Sequence, residues 1–381
     1  MNQPPAYFWR SLSCVFLLAT VPALHAQSAE WLYHKTADGQ HPNGNEQMLL
    51  WLLNRARANP TAEGLFLANT GDANVTGAIS YFGVNLNLMK SEFAALPATP
   101  PAAFDRRIYE GSRVHSQDMI ARDSQDHTGQ IQRVADAGFS STNSTYSVYA
   151  YGHTPVEIHA ALNIDWGFAS DGMQPGRGHR DGIMGTYPNV GFAVLPDSSS
   201  STSVGPLVFS GAYAFANTGA ANHFNRFLTG TVWTDTNGNG RYDSGEGLNN
   251  VRVQPDSGPW HAITGVAGGW AIPVSAGTFV LTISGGALTN SEVRTVTVSS
   301  SSVLVDVKAS LTPGPLQIQI AKGTGNNVVL TWSGGKAPFQ VQTSTTLSAT
   351  SWQNVGTATS NRTLTVTPSG TRAYYRVIGT P

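Results

Sequence analysis

The 381-residue chain holds 22 Lys and Arg against 23 Asp and Glu, a formal net charge of -1, and only 12% of its residues are charged. That balance gives no electrostatic footing for nucleic acid or an anionic membrane surface, both of which need clustered basic charge. The 40 glycines, set among regular apolar patterns, describe a turn-rich folded protein and not a disordered one.

Residues 1–26 read as a signal peptide, with one basic residue, Arg10, an apolar run from Leu12 to Leu24, and Ala26 before Gln27. The run is too short to anchor in a bilayer, and no later stretch approaches the roughly 20 apolar residues of a transmembrane helix. A secreted protein, extracellular or associated with the surface of a bacterial cell, is expected, as a monomer. Cys14 is the sole cysteine and falls inside this leader, so the mature chain is expected to use neither disulfide nor thiol chemistry.

Residues 41–219 show mixed helix and strand signals. Leu49, Leu52, Leu53 and Ala56 form a helical stripe that stops at Asn59-Pro60, where proline opens a second helix. Phe104, Ile108, Gly111, His115 and Met119 mark another helix, and His115, lying on its apolar stripe, reads as a packed residue. Thr154, Pro155 and Glu157 open a further helix that ends near Gly167. Strands follow at Val190–Leu195 and Leu207–Phe215. Residues 225–311 change to strict alternation, as in Val251/Val253, Phe279/Leu281/Ile283 and Val303/Val305/Val307, which predicts strands with one wet face. Thr312-Pro313-Gly314-Pro315 reads as a linker, and residues 312–381 repeat the alternation in Leu316/Ile318/Ile320 and Val328/Leu330/Trp332.

The strongest chemical motif runs from Asp235 to Glu246. Side chains of Asp235, Asn237, Asn239 and Asp243, the Arg241 carbonyl and the Glu246 carboxylate fall at the spacing that surrounds calcium with oxygen, and Gly240 allows the sharp turn. Asn at two ligand positions lowers the charge and points to millimolar or submillimolar extracellular calcium. Strand patterns flank the loop, in Gly230-Thr-Val-Trp233 and Val251-Arg-Val253. With Gly268-Gly-Trp270 and Ala276-Gly277-Thr-Phe279, residues 229–310 resemble the B-type repeats of SdrD-like bacterial surface adhesins, which implies a calcium-stiffened β-sandwich spacer.

In residues 41–219 the ordered motifs are Leu53-Asn54-Arg55-Ala-Arg57, His115-Ser-Gln-Asp118-Met119, His127-Thr-Gly129, Ala137-Gly-Phe139, Gly178-His179-Arg180 and Val190-Gly191-Phe-Ala-Val194. They resemble the CAP superfamily, or SCP-like extracellular domain. The resemblance implies a three-layer αβα sandwich with a surface cleft where two histidines and two glutamates can hold zinc. His127 and His179 match the two histidines and are the candidate zinc ligands. No acid stands near Ser147–Ala150, where the family carries Gly-Glu-Asn. Glu157 and Asp165 are the candidates for the second carboxylate. Glu157 also completes a capping box with Thr154, the favoured reading for it, and Asp165 is the better cleft candidate. The C-terminal segment resembles fibronectin type III-like modules in Trp332 and Tyr374-Tyr375-Arg-Val377.

The fold class expected from all this is an α+β αβα sandwich followed by two all-β sandwiches. Three functions follow: a secreted binding protein for a lipid, peptide or glycan in the cleft, a metal-dependent extracellular hydrolase, or an adhesin whose specificity lies in residues 312–381. The missing acid favours binding, because general acid/base chemistry needs a placed carboxylate.

Overall fold

The computed structural model describes residues 28–288, 290–309, 316–368, 370 and 372–380. The signal peptide assigned to 1–26, Cys14 with it, and the 312–315 linker lie outside the described residues. No helix among the described residues is long and apolar enough to cross a membrane.

The first strand, β1 (Ala29–Glu30), precedes eight α-helices: α1 (Gly44–Ala58), α2 (Pro60–Asn69), α3 (Ala73–Phe82), α4 (Leu86–Ala95), α5 (Arg106–Arg122), α6 (Gln130–Asp136), α7 (Pro155–Ala160) and α8 (Gly178–Met184). Among them run β2 (Ala103–Phe104) and β3 (Ser141–Gly152), followed by β4 (Asn189–Pro196) and β5 (Leu207–Ala216). These four strands form one mixed sheet in the order β2-β4-β5-β3, with β2 parallel to β4 and the other pairs antiparallel. Helix α5 lies so close to β4 that a Cβ at Gly191 would overlap the backbone of Ile108 and Tyr109.

Residues 227–308 are all strand and turn: β6 (Phe227–Trp233), β7 (Val251–Pro255), β8 (Trp260–Ile263), β9 (Gly269–Pro273), β10 (Gly277–Gly285), β11 (Glu292–Val298), β12 (Val303–Leu304) and β13 (Val307–Lys308). One sheet has the order β1-β8-β7-β10-β11. In the other, β6 pairs antiparallel with β9 and parallel with β12 and β13. The inward residues Val251, Val253, Leu281, Ile283 and Val307 are all buried in one core, as alternation requires. The C-terminal segment has β14 (Gln317–Lys322), β15 (Val328–Ser333), β16 (Lys336–Ser344), β17 (Gln353–Asn354), β18 (Thr363–Val366) and β19 (Tyr374–Thr380), in two three-stranded sheets, β14-β15-β18 and β17-β16-β19. Trp332 and Phe339 meet edge to face at 5.9 Å in its small core. Ile318 and Ile320, read as inward-facing, stand exposed on β14.

The expected αβα sandwich followed by two separate β-sandwiches is thus corrected. The chain is a mixed, β-rich structure with five sheets and eight α-helices among the described residues. Strand β1, ahead of every helix, pairs in parallel with β8. Local periodicity identifies which face of a strand is apolar but carries no information on its partner.

Helix α1 joins the two main bodies. Asn43 and Glu46 cap its start reciprocally, Asn43 accepting from Glu46 N–H at 3.1 Å and Glu46 from Asn43 N–H at 2.8 Å. Leu49, Leu53 and Ala56 face the core beneath the mixed sheet with Phe192 and Tyr213. Met48 and Leu52, one step round the helix, pack instead on Trp233 and Tyr242 of the β-rich body. Between them Gln47 donates to Thr231 Oγ1 at 2.8 Å in a buried setting. At the other end, buried Arg57 donates to the carbonyls of Ile183, Pro100 and Tyr187.

Candidate functional site

A pocket of about 470 Å³ opens on the mixed body, within the usual range for small-molecule sites of about 300–1,000 Å³. Its walls come from the end of α3, strand β3, and the segment from α7 to α8. Tyr81 and Phe82 end α3. Tyr149 and Tyr151 project from β3, and Trp166 follows the helical segment. Phe82 and Trp166 lie nearly parallel at 6.4 Å and 12°, and Tyr149 meets Trp166 edge-on at 6.4 Å. Phe168 packs edge-on to both Phe82, at 5.0 Å, and Tyr81, at 5.7 Å. Apolar rings of this size are normally buried. Here Tyr81 is 71% exposed and Phe168 is 83% exposed.

The polar groups of the pocket are few and held. Helix α7 starts at Thr154, whose Oγ1 accepts from Glu157 N–H at 3.0 Å, and continues into a π-helical turn over Ala161–Asp165. π turns are frequent at functional sites. That turn leaves Asp165 buried at φ 57°, in the left-handed region where a non-glycine residue is uncommon. Its Oδ1 lies 2.8 Å from His179 Nδ1, and its Oδ2 accepts from His179 N–H at 3.1 Å. The carboxylate therefore fixes both the start of α8 and the imidazole, whose other nitrogen, Nε2, is left for the pocket. Gln125 and Gln174 complete the polar lining.

Of the residues singled out in sequence, the structure joins Asp165 to His179 and separates the others. His127 Nδ1 lies 2.7 Å from Gln130 Oε1, and Gln130 in turn donates to Ser210 Oγ at 2.8 Å, so this histidine fastens α6 to the sheet. Glu157 accepts from His153 N–H at 2.7 Å and from the Tyr149 hydroxyl at 3.4 Å. It secures the start of α7 through the residue before the cap. Burial beside this carboxylate raises the Tyr149 phenol well above its ordinary pKa, which keeps it a neutral pocket wall. His115 is buried, 2.8 Å from the Asp126 carbonyl. Among the described residues no three His, Cys, Asp or Glu side chains form a metal-holding group. The His127, His179 and Asp165 set therefore does not fit zinc. His179 with Asp165 could take up a proton, but no Ser, Thr, Cys or Lys lines the pocket as a nucleophile.

Sequence reading missed the aromatic wall. Tyr81 lies off the apolar stripe of α3 formed by Val75, Ala78, Ile79 and Phe82, and nothing in the alternation of β3 shows that Tyr149 and Tyr151 border an opening. It also missed a sealed ionic cluster behind α1. Glu63 accepts two bonds from Arg55 at 2.8 Å and lies 2.9 Å from His159 Nε2, with Glu63 and His159 both buried.

The Asp235–Glu246 loop sits against α1. Ser244 Oγ donates to Asn45 Oδ1 at 2.9 Å, the Arg241 guanidinium lies over Phe66 at 4.9 Å, and Tyr242 is fully buried. A Cβ at Gly44 would overlap the Ser244 hydroxyl and displace it, so glycine there lets Ser244 reach Asn45. The side-chain amides of Asn237 and Asn239 both reach Asp243 Oδ2, at 2.7 and 2.5 Å. Asp235, 7% exposed, receives Gly240 N–H and the Lys308 ammonium on Oδ2, while its Oδ1 is buried without a partner. Glu246 is turned to the loop's own backbone, accepting from Thr236 and Asp243 N–H at 2.8 and 2.9 Å. The expectation of a spacer is corrected by this packing: the loop is part of the junction with α1.

No family model matches the chain, and no curated protein matches it. Among solved structures it is similar to a DUF3823 family protein from Bacteroides ovatus, at 15% identity over 41% of this chain and 82% of that one, with a TM-score of 0.19. A DUF3823 family protein from Parabacteroides merdae gives 17% identity over 40% and 89%, with a TM-score of 0.21. A candidate carbohydrate binding protein from Bacteroides uniformis gives 12% over 41% and 80%, with a TM-score of 0.19. None of these places the chain in a family.

The resemblances to the CAP superfamily, to SdrD B-like modules and to fibronectin type III-like modules are corrected accordingly. No family model supports them, and the similar structures named above are DUF3823 proteins and a candidate carbohydrate binding protein. Each motif behind the CAP resemblance is three to five residues long, and the structure gives the members separate local tasks. His127 is a fastening residue, Glu157 a helix-start residue, and Arg57 a partner for carbonyls.

Proposed function

We propose that the protein is an extracellular ligand-binding protein whose site is the aromatic pocket beside His179 and Asp165. The observation that carries this reading is the pair of exposed rings, Tyr81 in the pocket lining and Phe168 packed against it, beside a pocket whose polar groups are already positioned. The pocket offers recognition surface without a nucleophile or a second acid, which favours binding over hydrolysis. Export by the 1–26 leader accords with this role. Affinity selection from mixed glycans, peptides and lipids tests it, using the full mature chain and a Tyr81→Ala/Phe168→Ala variant. At least one compound should be retained by the parent and lost by the variant. Equal retention by both would place the site elsewhere.

We also propose calcium as the ion of the Asp235–Glu246 loop. The orphaned, buried Asp235 Oδ1 is an oxygen donor of the hard type calcium takes, and the side chains of Asn237 and Asn239 converge on the Asp243 carboxylate of the same loop. An ion there would compete with the Lys308 ammonium, 2.6 Å from Asp235. At a hundredfold excess over its Kd, calcium should stabilise the fold by about 2.7 kcal/mol through mass action. Differential scanning calorimetry should show this as a raised Tm that magnesium does not match and that Asp235→Ala abolishes. An unchanged Tm in millimolar calcium would exclude the site.

A further inference from the structure

We propose that the pocket's ligand is a neutral saccharide, a refinement that rests on the ligand-binding reading above. A pyranose ring presents apolar C–H faces and a rim of hydroxyls, each both donor and acceptor, and carries no charge. The pocket answers each of these features. Tyr81 lines the pocket and is exposed, and exposed Phe168 packs edge-on against it at 5.7 Å and against Phe82 at 5.0 Å, which extends the aromatic surface outward from the lining. Gln125 spends Oε1 on Ala150 N–H at 2.7 Å and keeps its NH₂ as donor. Gln174 donates from Nε2 to the Trp166 carbonyl at 3.4 Å and keeps Oε1 as acceptor. His179, with Nδ1 held by Asp165, keeps Nε2. The pocket thus keeps one free donor, the Gln125 NH₂, and two free acceptors, Gln174 Oε1 and His179 Nε2, beside its aromatic rings, and hydroxyls that both donate and accept can serve all three.

The same inventory disfavours other occupants. No Lys, Arg, Asp or Glu side chain borders the pocket, and a proton on His179 would be paired with Asp165 at 2.8 Å, so no unpaired charge faces a uronate, sulfate, phosphate or peptide terminus. An acyl chain would cover the rings but would also take the Gln125 NH₂ and Gln174 Oε1, both exposed to water in the free protein, out of solvent with no partner, at a cost for each.

Isothermal titration calorimetry on the full mature chain tests the inference with cellohexaose, maltohexaose, mannohexaose, oligogalacturonate and palmitate. One neutral oligosaccharide should bind, and Tyr81→Ala and Phe168→Ala should each weaken it about tenfold with no change in Tm, since both side chains are exposed. Gln174→Glu, which replaces an amide by an acid at the same size, should weaken it further as pH rises above the carboxyl pKa. Palmitate or oligogalacturonate binding in place of every neutral sugar, with the same loss in the aromatic variants, would overturn the saccharide and leave the pocket reading standing. No binding of any probe to the pocket, with the affinity selection also blind to the aromatic variants, would overturn both.

Discussion

A Tyr242→Ala variant loses about 3 to 5 kcal/mol, the usual cost of emptying a large buried aromatic site. Its larger effect is on cooperativity. Tyr242 is fully buried, its hydroxyl donates to the Ala267 carbonyl at 3.0 Å, and its ring stands edge-on to Trp233 at 6.2 Å. On its other side lie Met48, Leu52 and Trp51 of α1. The residue therefore belongs to the Asp235–Glu246 loop by sequence and to the junction by packing. In the parent, the helices and residues 227–309 should unfold together. In the variant their transitions should separate, read by hydrogen exchange across a urea series. A coincident transition with a loss below about 1 kcal/mol would show that Gln47, Ser244 and Met48 hold the junction without it.

Glu63→Ala is expected to cost a further 3 to 5 kcal/mol, the range for removing one member of a buried ion pair. Burial pushes the Glu63 carboxyl up, but the hydrogen bonds and charges of His159 and Arg55 outweigh it and hold the pKa below the usual range. A carboxyl depressed in the fold contributes stability that is present above its unfolded pKa, about 4.3, and is lost as pH falls through the folded value. The parent should therefore lose stability in that acid window, and the variant should show a flatter curve there. Glu63→Gln, which keeps the shape and one acceptor, should fall between the two. Equal acid profiles for parent and Glu63→Ala, measured by urea titration from pH 3 to 7, would mean that the cluster contributes no net stability.

How much of this was legible in the sequence differs from one element to the next. The stripe Leu49, Leu52, Leu53 and Ala56 marks α1 correctly, and Asn59-Pro60 marks its end, because caps and 3.6-residue periodicity are local properties. The alternation in Val251–Val307 likewise fixes which side of each strand is buried. That the same helix serves two cores through Leu49 and Met48 is a tertiary fact, set by which surfaces meet. Strand β3 escaped notice because Ser141–Thr145 is polar and largely exposed, and pairing with β5 holds it in place of an apolar face. At the site, His179 and Asp165 were singled out through the CAP resemblance, and the structure joins them for another reason, as an imidazole oriented by a buried carboxylate. The exposed rings could not be found that way, because a tyrosine or phenylalanine in sequence reads first as core. His127 misled for the complementary reason, a ligand-type residue used as a hydrogen-bonding fastener.

Hydrogen exchange of the full mature chain with and without a ligand retained in the affinity selection tests the central claim most directly. Protection should increase in residues 73–82, 148–151 and 165–179, which carry the pocket walls, and remain unchanged in residues 316–368. Protection confined to the C-terminal sheets, with the pocket segments unaltered, would contradict it and move recognition to the end of the chain.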